Sequence, residues 1–90
     1  MPRFVIERAM PGAGALSPEQ LKAVSRQSRD VLDELGPSIQ WLHSYVTDDR
    51  IYCTYLAPDA DLIREHAVRA GFPADAIVQV RSVIDPTTAE

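Results

Sequence analysis

Residues 41–58 read WLHSYVTDDRIYCTYLAP, and this stretch holds the only Trp, all three Tyr and the only Cys of the 90-residue chain. Two runs rich in aromatic and β-branched residues flank the polar segment 47–50, which is typical of a β-hairpin. Pro58 closes the second run because proline cannot donate to a strand ladder. The stretch therefore predicts two antiparallel strands joined by a tight turn.

The turn length fixes which side chains face each other across the hairpin. A two-residue loop and a four-residue loop give the same pairs: Val46 with Ile51, Tyr45 with Tyr52, Ser44 with Cys53, His43 with Thr54, and Leu42 with Tyr55. Because side chains alternate between the faces of a strand, one face would carry Leu42, Ser44, Val46, Ile51, Cys53 and Tyr55. The other would carry Trp41, His43, Tyr45, Tyr52, Thr54 and Leu56. An odd-length loop would change this assignment.

A strand and a helix are expected before the hairpin. The alternation in residues 3–8 predicts a strand that directs Phe4 and Ile6 to the core. Ser17-Pro18-Glu19-Gln20 forms a capping-box signature for a helix start, and Gly36-Pro37 ends that helix. Its apolar stripe comprises Leu21, Val24, Ser28, Val31, Leu32 and Leu35. Such a one-sided stripe is typical of a helix that lies on a sheet.

A second helix and a final strand are expected after the hairpin. Asp59 caps the helix and Gly71 ends it, with His66 at the edge of its apolar side. Residues 77–84 predict the last strand, and residues 85–90 form a tail. In that strand, one face would carry Val78, Val80, Ser82 and Ile84, and the other Gln79, Arg81 and Val83.

The order β-α-β-β-α-β predicts an α+β fold of the ferredoxin-like type, with one domain over residues 1–90 and two helices on one face of an antiparallel sheet. The opposite face would then collect Glu7, Trp41, His43, Tyr45, Tyr52, Thr54, Gln79 and Arg81. That face is more aromatic than a solvent-exposed sheet normally tolerates. We therefore expect a second subunit to cover part of it in a homodimer.

Composition narrows the classes of partner. The net charge is −4 and the basic residues are scattered, whereas nucleic-acid binding relies on a basic surface. No apolar run is long enough to span a membrane, and the first residues lack the apolar region of a signal peptide. A single Cys cannot form an internal disulfide. These features favour a cytoplasmic protein that binds neither nucleic acid nor membrane.

His43 and Glu7 are candidate metal ligands on the open side of the predicted sheet, since imidazole binds nickel, zinc and copper well. Two strands separate them, roughly 10 Å between backbones. A structural interpretation exists for each: His43 packs between Trp41 and Tyr45 and bonds Thr54, and Glu7 pairs with Arg81. His66 lacks a chelating partner on its own helix, and Cys53 is expected to be buried. Neither residue lies in a motif for metal binding.

No nucleophile motif frames a catalytic set, and two His with one Cys cannot build a closed zinc site of the usual Cys-rich type. The residues alone therefore indicate a small α+β domain with an unusual sheet face.

Several ordered segments resemble a bacterial family of small proteins, long classed as a domain of unknown function, whose characterised members are described as nickel-binding. The segments are residues 41–58 together with 2–8, 16–19, 63–67, 70–75 and 83–87, so the resemblance runs over nearly the whole chain. It implies a ferredoxin-like dimer that binds nickel, for storage or sequestration. Within the matching segments, the side chains best suited to ligate the metal are His43, His66 and Glu7.

Three functions follow from these observations. The first is a dimeric, cytoplasmic, nickel-binding protein without enzymatic activity. The second is a dimeric α+β barrel enzyme or small-molecule binder that uses the open sheet face as a pocket, with His43 as acid or base and Tyr45 or Tyr52 as donor. The third is a structural or regulatory dimer with no ligand.

Overall fold

A computed structural model describes residues 1–90 and contains a four-stranded antiparallel sheet with two helices. The elements are β1 (Arg3–Ala9), α1 (Pro18–Leu35), β2 (Gln40–Val46), β3 (Arg50–Leu56), α2 (Ala60–Ala70) and β4 (Ala76–Gln79), with short 3-10 turns at Ala13–Ala15 and Pro86–Ala89. The strand order is β2-β3-β1-β4. The predicted α+β, ferredoxin-like fold is confirmed.

Both helices begin and end where the local sequence signals place them. Ser17 Oγ accepts from the Gln20 amide at 3.2 Å, while Gln20 Oε1 accepts from the Ser17 amide at 2.8 Å. Asp59 Oδ1 accepts from the Leu62 amide at 3.0 Å and caps α2. Gly71 ends α2 with φ of 74°, a left-handed conformation that glycine adopts without a steric penalty.

The hairpin closes on the predicted turn. The Thr47 amide donates to the Arg50 carbonyl at 2.8 Å, and the four facing pairs from Val46–Ile51 to His43–Thr54 are confirmed. The loop after β1 packs against this turn, where the Gly14 amide donates to the Asp48 carbonyl at 3.0 Å. A Cβ at Gly14 would lie 2.9 Å from Asp48 Cα, so the close approach of the two loops requires glycine.

A β-bulge near the start of β2 corrects the rest of the hairpin prediction. Trp41 faces Tyr55 and His43 faces Thr54, which leaves Leu42 as an extra residue between them. The expected pair of Leu42 with Tyr55 and the expected position of Trp41 on the open side are therefore wrong. A bulge reverses the alternation beyond it, and Trp41 turns to the helix side, where its Nε1 donates to Ser44 Oγ at 2.9 Å.

The last strand is shorter than predicted and has the opposite facing. It spans Ala76–Gln79 rather than residues 77–84. Pairing with β1 matches Ile6 with Ile77 and Val5 with Val78, so Ile77 packs against the core and Val78 is 59% exposed on the other side. The sequence of this segment is compatible with either set of alternate residues facing the core. The register with β1 determines which set does so.

The core lies between the sheet and the helices. Its buried members are Phe4, Ile6, Ala13, Ile39, Ile51, Cys53, Tyr55, Ala57 and Ile63. The predicted inward positions of Phe4, Ile6 and Cys53 are confirmed. Neither helix has the length and apolar character that crossing a bilayer requires.

Candidate functional site

The sheet face that the helices leave uncovered, called here the open face, presents aromatic, apolar and ionisable side chains together. Strand register places on it Val5, Glu7, His43, Tyr45, Tyr52, Thr54 and Val78. Tyr45 is 63% exposed, and Tyr52 is half-buried. The predicted meeting of Glu7, His43, Tyr45, Tyr52 and Thr54 on one face is confirmed.

His43 lies on the edge strand β2 and is exposed. Its ring meets the Tyr45 ring edge-on, with centroids 5.1 Å apart and planes at 72°. The bulge sends Trp41 to the other side of the sheet. The expected packing of His43 between Trp41 and Tyr45 is therefore wrong, and of these two only Tyr45 contacts the His43 ring. The imidazole is therefore accessible to a ligand from solvent.

Glu7 lies on the same face as His43, but the two do not meet. Glu7 faces Tyr52, which faces Tyr45, and His43 is two residues from Tyr45 along β2. Two strand spacings and two residues of offset separate the backbones by roughly 12 Å. One ion cannot bind both side chains directly without large departures from the strand geometry.

The ion-pair partner of Glu7 is Arg50, with Arg50 Nη1 2.6 Å from Glu7 Oε1. The predicted pair with Arg81 is wrong, because β4 ends at Gln79 and Arg81 lies beyond it, exposed. Arg50 is adjacent on the open face because β1 and β3 pair over seven residues, with Ala9 facing Arg50.

We expect Glu7→Gln to lower the free energy of unfolding by less than about 1 kcal/mol, because exposed ion pairs contribute little. The Glu7 and Arg50 side chains are 38% and 48% exposed, so water screens the pair. Urea denaturation of wild type, Glu7→Gln, Arg50→Gln and the double variant measures the free energy of unfolding of each protein and, from the four values, the coupling energy between the two side chains. A coupling energy above about 2 kcal/mol would contradict this expectation.

His66 lies on the opposite side of the sheet from His43 and is fully buried, deeper than the helix-edge position expected. Its Nε2 is 3.2 Å from Ser28 Oγ and 3.3 Å from the Ser28 carbonyl oxygen. Since a carbonyl oxygen only accepts, Nε2 carries the proton and donates. The other nitrogen, Nδ1, is buried without a hydrogen-bond partner.

The surroundings of His66 disfavour its charged form. Burial lowers its pKa, the hydrogen bond with the Ser28 backbone opposes that shift, and the positive charge of Arg8 lowers the pKa further. Tyr55 and Phe72 rings flank the imidazole, with centroids 5.5 Å and 6.5 Å away. His66 is therefore a neutral core residue at neutral pH.

Arg8 is the buried charged residue that the sequence interpretation missed. It is 2% exposed on the helix side of β1. The available signal was its position, since Phe4, Ile6 and Arg8 alternate onto the same face. A charged residue in a core-facing register is unusual enough to mark a site.

Within one chain, no three His, Cys, Asp or Glu side chains come together in an arrangement that could hold a metal ion. His43 and Glu7 share a face, whereas His66 lies across the sheet from both. Any metal bound at His43 would have to complete its coordination with water or with groups from another chain.

Comparison with known proteins places this architecture in a family. The family model described as "Nickel responsive protein SCO4226-like" matches residues 4–80. The crystal structure of SCO4226 from Streptomyces coelicolor A3(2) superposes with a TM-score of 0.76 at 22% identity, covering 91% of this chain and 99% of that chain. No curated protein matches in a sequence comparison.

The structural likeness supports the ferredoxin-like fold, and the family model spans the helices, the hairpin and β4. The chain therefore belongs to the family of SCO4226-like nickel responsive proteins.

Proposed function

We propose that this protein is a non-enzymatic, cytoplasmic nickel-binding protein that acts in metal sequestration or homeostasis, and that nickel binds at His43 on the open face of a homodimer. The observation that carries the proposal is an exposed imidazole on an uncovered sheet face, in a chain whose family is described as nickel responsive.

The chemistry of the open face suits a weakly held cargo ion. Imidazole nitrogen is a good ligand for nickel, and carboxylate and water complete such sites. His43 supplies the imidazole and Glu7 is a second donor, though one engaged by Arg50. Because one chain does not gather three donors, donors from a second copy and water would complete the coordination.

A second copy of this chain is the occupant that best fits the open face. Tyr45 and Val78 are 63% and 59% exposed there, and burying such apolar area favours association. A 90-residue domain buries a modest fraction of its surface when alone. Two open faces packed together would also bring two His43 side chains into one interface.

The alternative of an open-face pocket for catalysis or small-molecule binding is not favoured. The cavity of about 70 Å³ lies on the helix side, lined by residues such as Leu21, Ser28 and Cys53. The Tyr45 and His43 rings meet each other on the exposed surface and do not line an enclosed space that would exclude water.

Nickel titration of tag-free protein by calorimetry, with zinc and cobalt in parallel, tests the proposal. Saturable binding that ends at one nickel ion per two chains would support a shared site. Absence of saturable nickel uptake would overturn it.

We expect Val78→Glu to weaken self-association at least about tenfold, because a carboxylate buried at an interface without a partner costs several kcal/mol. Val68→Glu is the matched control, since Val68 is 80% exposed on α2. Sedimentation equilibrium measures both. A wild-type protein that is monomeric at all concentrations, or equal effects of the two variants, would contradict the open-face dimer.

A further inference from the structure

A cavity of about 70 Å³ lies between α1 and the helix side of the sheet. Its wall is mostly apolar and includes Leu21 and Val24 of α1, Ile51 of β3, Trp41 and Phe72. This volume is several times the roughly 10–15 Å³ needed to hold one water, so the cavity has room for a small organic molecule.

Arg8 lines this cavity, and one nitrogen of its guanidinium is buried without a hydrogen-bond partner. Arg8 Nη1 donates to the Pro73 carbonyl, and the guanidinium carbon lies 5.7 Å from the Phe72 ring centroid. Arg8 Nη2 is buried with no hydrogen-bond partner. None of the chain's ion pairs includes Arg8.

The polar groups near Arg8 do not supply a negative charge. Burial, followed by the neighbouring Cys53, raises the pKa of the Tyr55 hydroxyl. The charge of Arg8 and the side-chain hydrogen bonds of Ser28 and Arg8 with that hydroxyl act in the opposite direction. Tyr55 is therefore neutral at physiological pH. His66 is neutral as well, and a neutral imidazole provides no countercharge. No carboxylate lies within ion-pair distance of Arg8. A buried cation without a paired anion is strongly unfavourable, so an anion that entered the cavity would be stabilised by Arg8.

We infer that this cavity is a binding site for a small monocarboxylate with an apolar body. The carboxylate accepts from Arg8 Nη2, and the neutral Tyr55 hydroxyl is a second donor at the same wall. The hydrocarbon part packs against Leu21, Val24 and Trp41. A guanidinium matches carboxylate geometry, and a short unbranched or singly branched chain matches the volume.

This site is separate from the proposed nickel site. Arg8 and His43 lie on opposite faces of the sheet, since Arg8 faces Ile51 and His43 faces Thr54. A protein that binds no nickel could still bind the carboxylate, and a protein that binds no carboxylate could still bind nickel. The two proposals can therefore fail independently.

The test uses butyrate as the charged probe and butyramide as its neutral counterpart of nearly equal shape. Trp41 is the only Trp of the chain and lines the cavity, so its fluorescence reports occupancy. We expect butyrate to produce a saturable change and to raise the melting temperature. We expect butyramide to bind at least about tenfold more weakly, because it lacks the charge-assisted hydrogen bond.

Two variants locate the site. Arg8→Met removes the charge and keeps an apolar chain, and it should weaken butyrate binding at least about tenfold. Arg3→Met is the matched control, because Arg3 lies on the same strand but is exposed. Val24→Phe fills the cavity while leaving Arg8 in place, and it should weaken butyrate binding by a similar factor.

The comparison of butyrate with butyramide on the wild-type protein tests the carboxylate site even if Arg8→Met fails to fold. Equal responses to butyrate and butyramide, or no saturable response to either, would overturn the site. Butyrate affinity unchanged in a folded Arg8→Met or Val24→Phe protein would overturn it as well, and would indicate water alone in the cavity.

Discussion

Replacing His43 with alanine is expected to weaken nickel binding at least about tenfold, or to abolish it within the range of calorimetry. His43 is the exposed imidazole of the open face, and carboxylate and water alone hold nickel less well than a set with imidazole. Even changes that act on a metal through its ligands cost about 10–100-fold in affinity. Loss of the ligand itself should cost no less.

The variant set separates a metal role from a structural one. Tyr45→Phe keeps the ring that contacts His43 at 5.1 Å and should bind nickel as wild type does. Glu7→Gln tests the second donor and should weaken binding less than His43→Ala, because Arg50 already engages that carboxylate. Circular dichroism and a thermal melt confirm that each variant is folded.

Two outcomes would count against His43. If His43→Ala bound nickel as tightly as wild type, another group would have to be the ligand. If Tyr45→Phe and His43→Ala weakened binding equally, the effect would come from disturbance of the face and not from loss of a ligand. Loss of binding only in His43→Ala supports the proposed site.

Acidification is expected to destabilise the fold through His66. Burial and Arg8 lower the pKa of this imidazole in the folded protein, so the unfolded chain takes up the proton at higher pH than the folded one. The stabilising effect is therefore fully present above the unfolded value of about 6.5 and is lost as the pH falls below it. Protonation would add a charge beside Arg8 and a buried N–H at Nδ1, which has no partner.

We expect the free energy of unfolding to fall between about pH 7.5 and about pH 5.5, with a slope of at most about 1.4 kcal/mol per pH unit, which is the limit for one proton. Urea denaturation at a series of pH values measures it. This window lies above the ordinary range of carboxyl titration, so acidic side chains contribute little to the difference.

His66→Gln provides the decisive comparison for this slope. It should be less stable at pH 7.5, since the contacts with Ser28 and the Tyr55 ring change, but its stability should vary less with pH across the window. His43→Gln, which replaces the exposed histidine, is the control for loss of a histidine side chain. A slope that survives in His66→Gln would show that another group causes the acid sensitivity.

Local signals in the sequence determined the element order and most element ends. The Ser17 and Asp59 caps, the Gly36 and Gly71 stops and the Thr47–Arg50 turn each depend on contacts within a few residues. The alternation of side chains also predicted the inward-facing residues of β1 and the four hairpin pairs nearest the turn. The resemblance in the hairpin and flanking segments led to the family, which the family model confirms.

The open face could be predicted only in part, because the sequence does not show where alternation is interrupted. The bulge at Leu42 moved Trp41 to the helix side, and the register with β1 reversed the facing of β4. His43 and Glu7 reached the predicted face, but the offset between them and the Arg50 partner became visible only with the paired strands.

By itself, then, the sequence determined most of the secondary structure, the order of its elements and the presence of an imidazole on an uncovered sheet face, because short-range hydrogen bonds and side-chain periodicity encode these features. Tertiary structure alone decided the depth of His66, the burial of Arg8 and the cavity that Arg8 lines. Those features depend on contacts between residues far apart in the chain, such as Ser28 with His66 at a separation of 38 and Arg8 with Pro73 at a separation of 65. Packing of α1 and α2 against the sheet, which no local pattern specifies, determines those contacts.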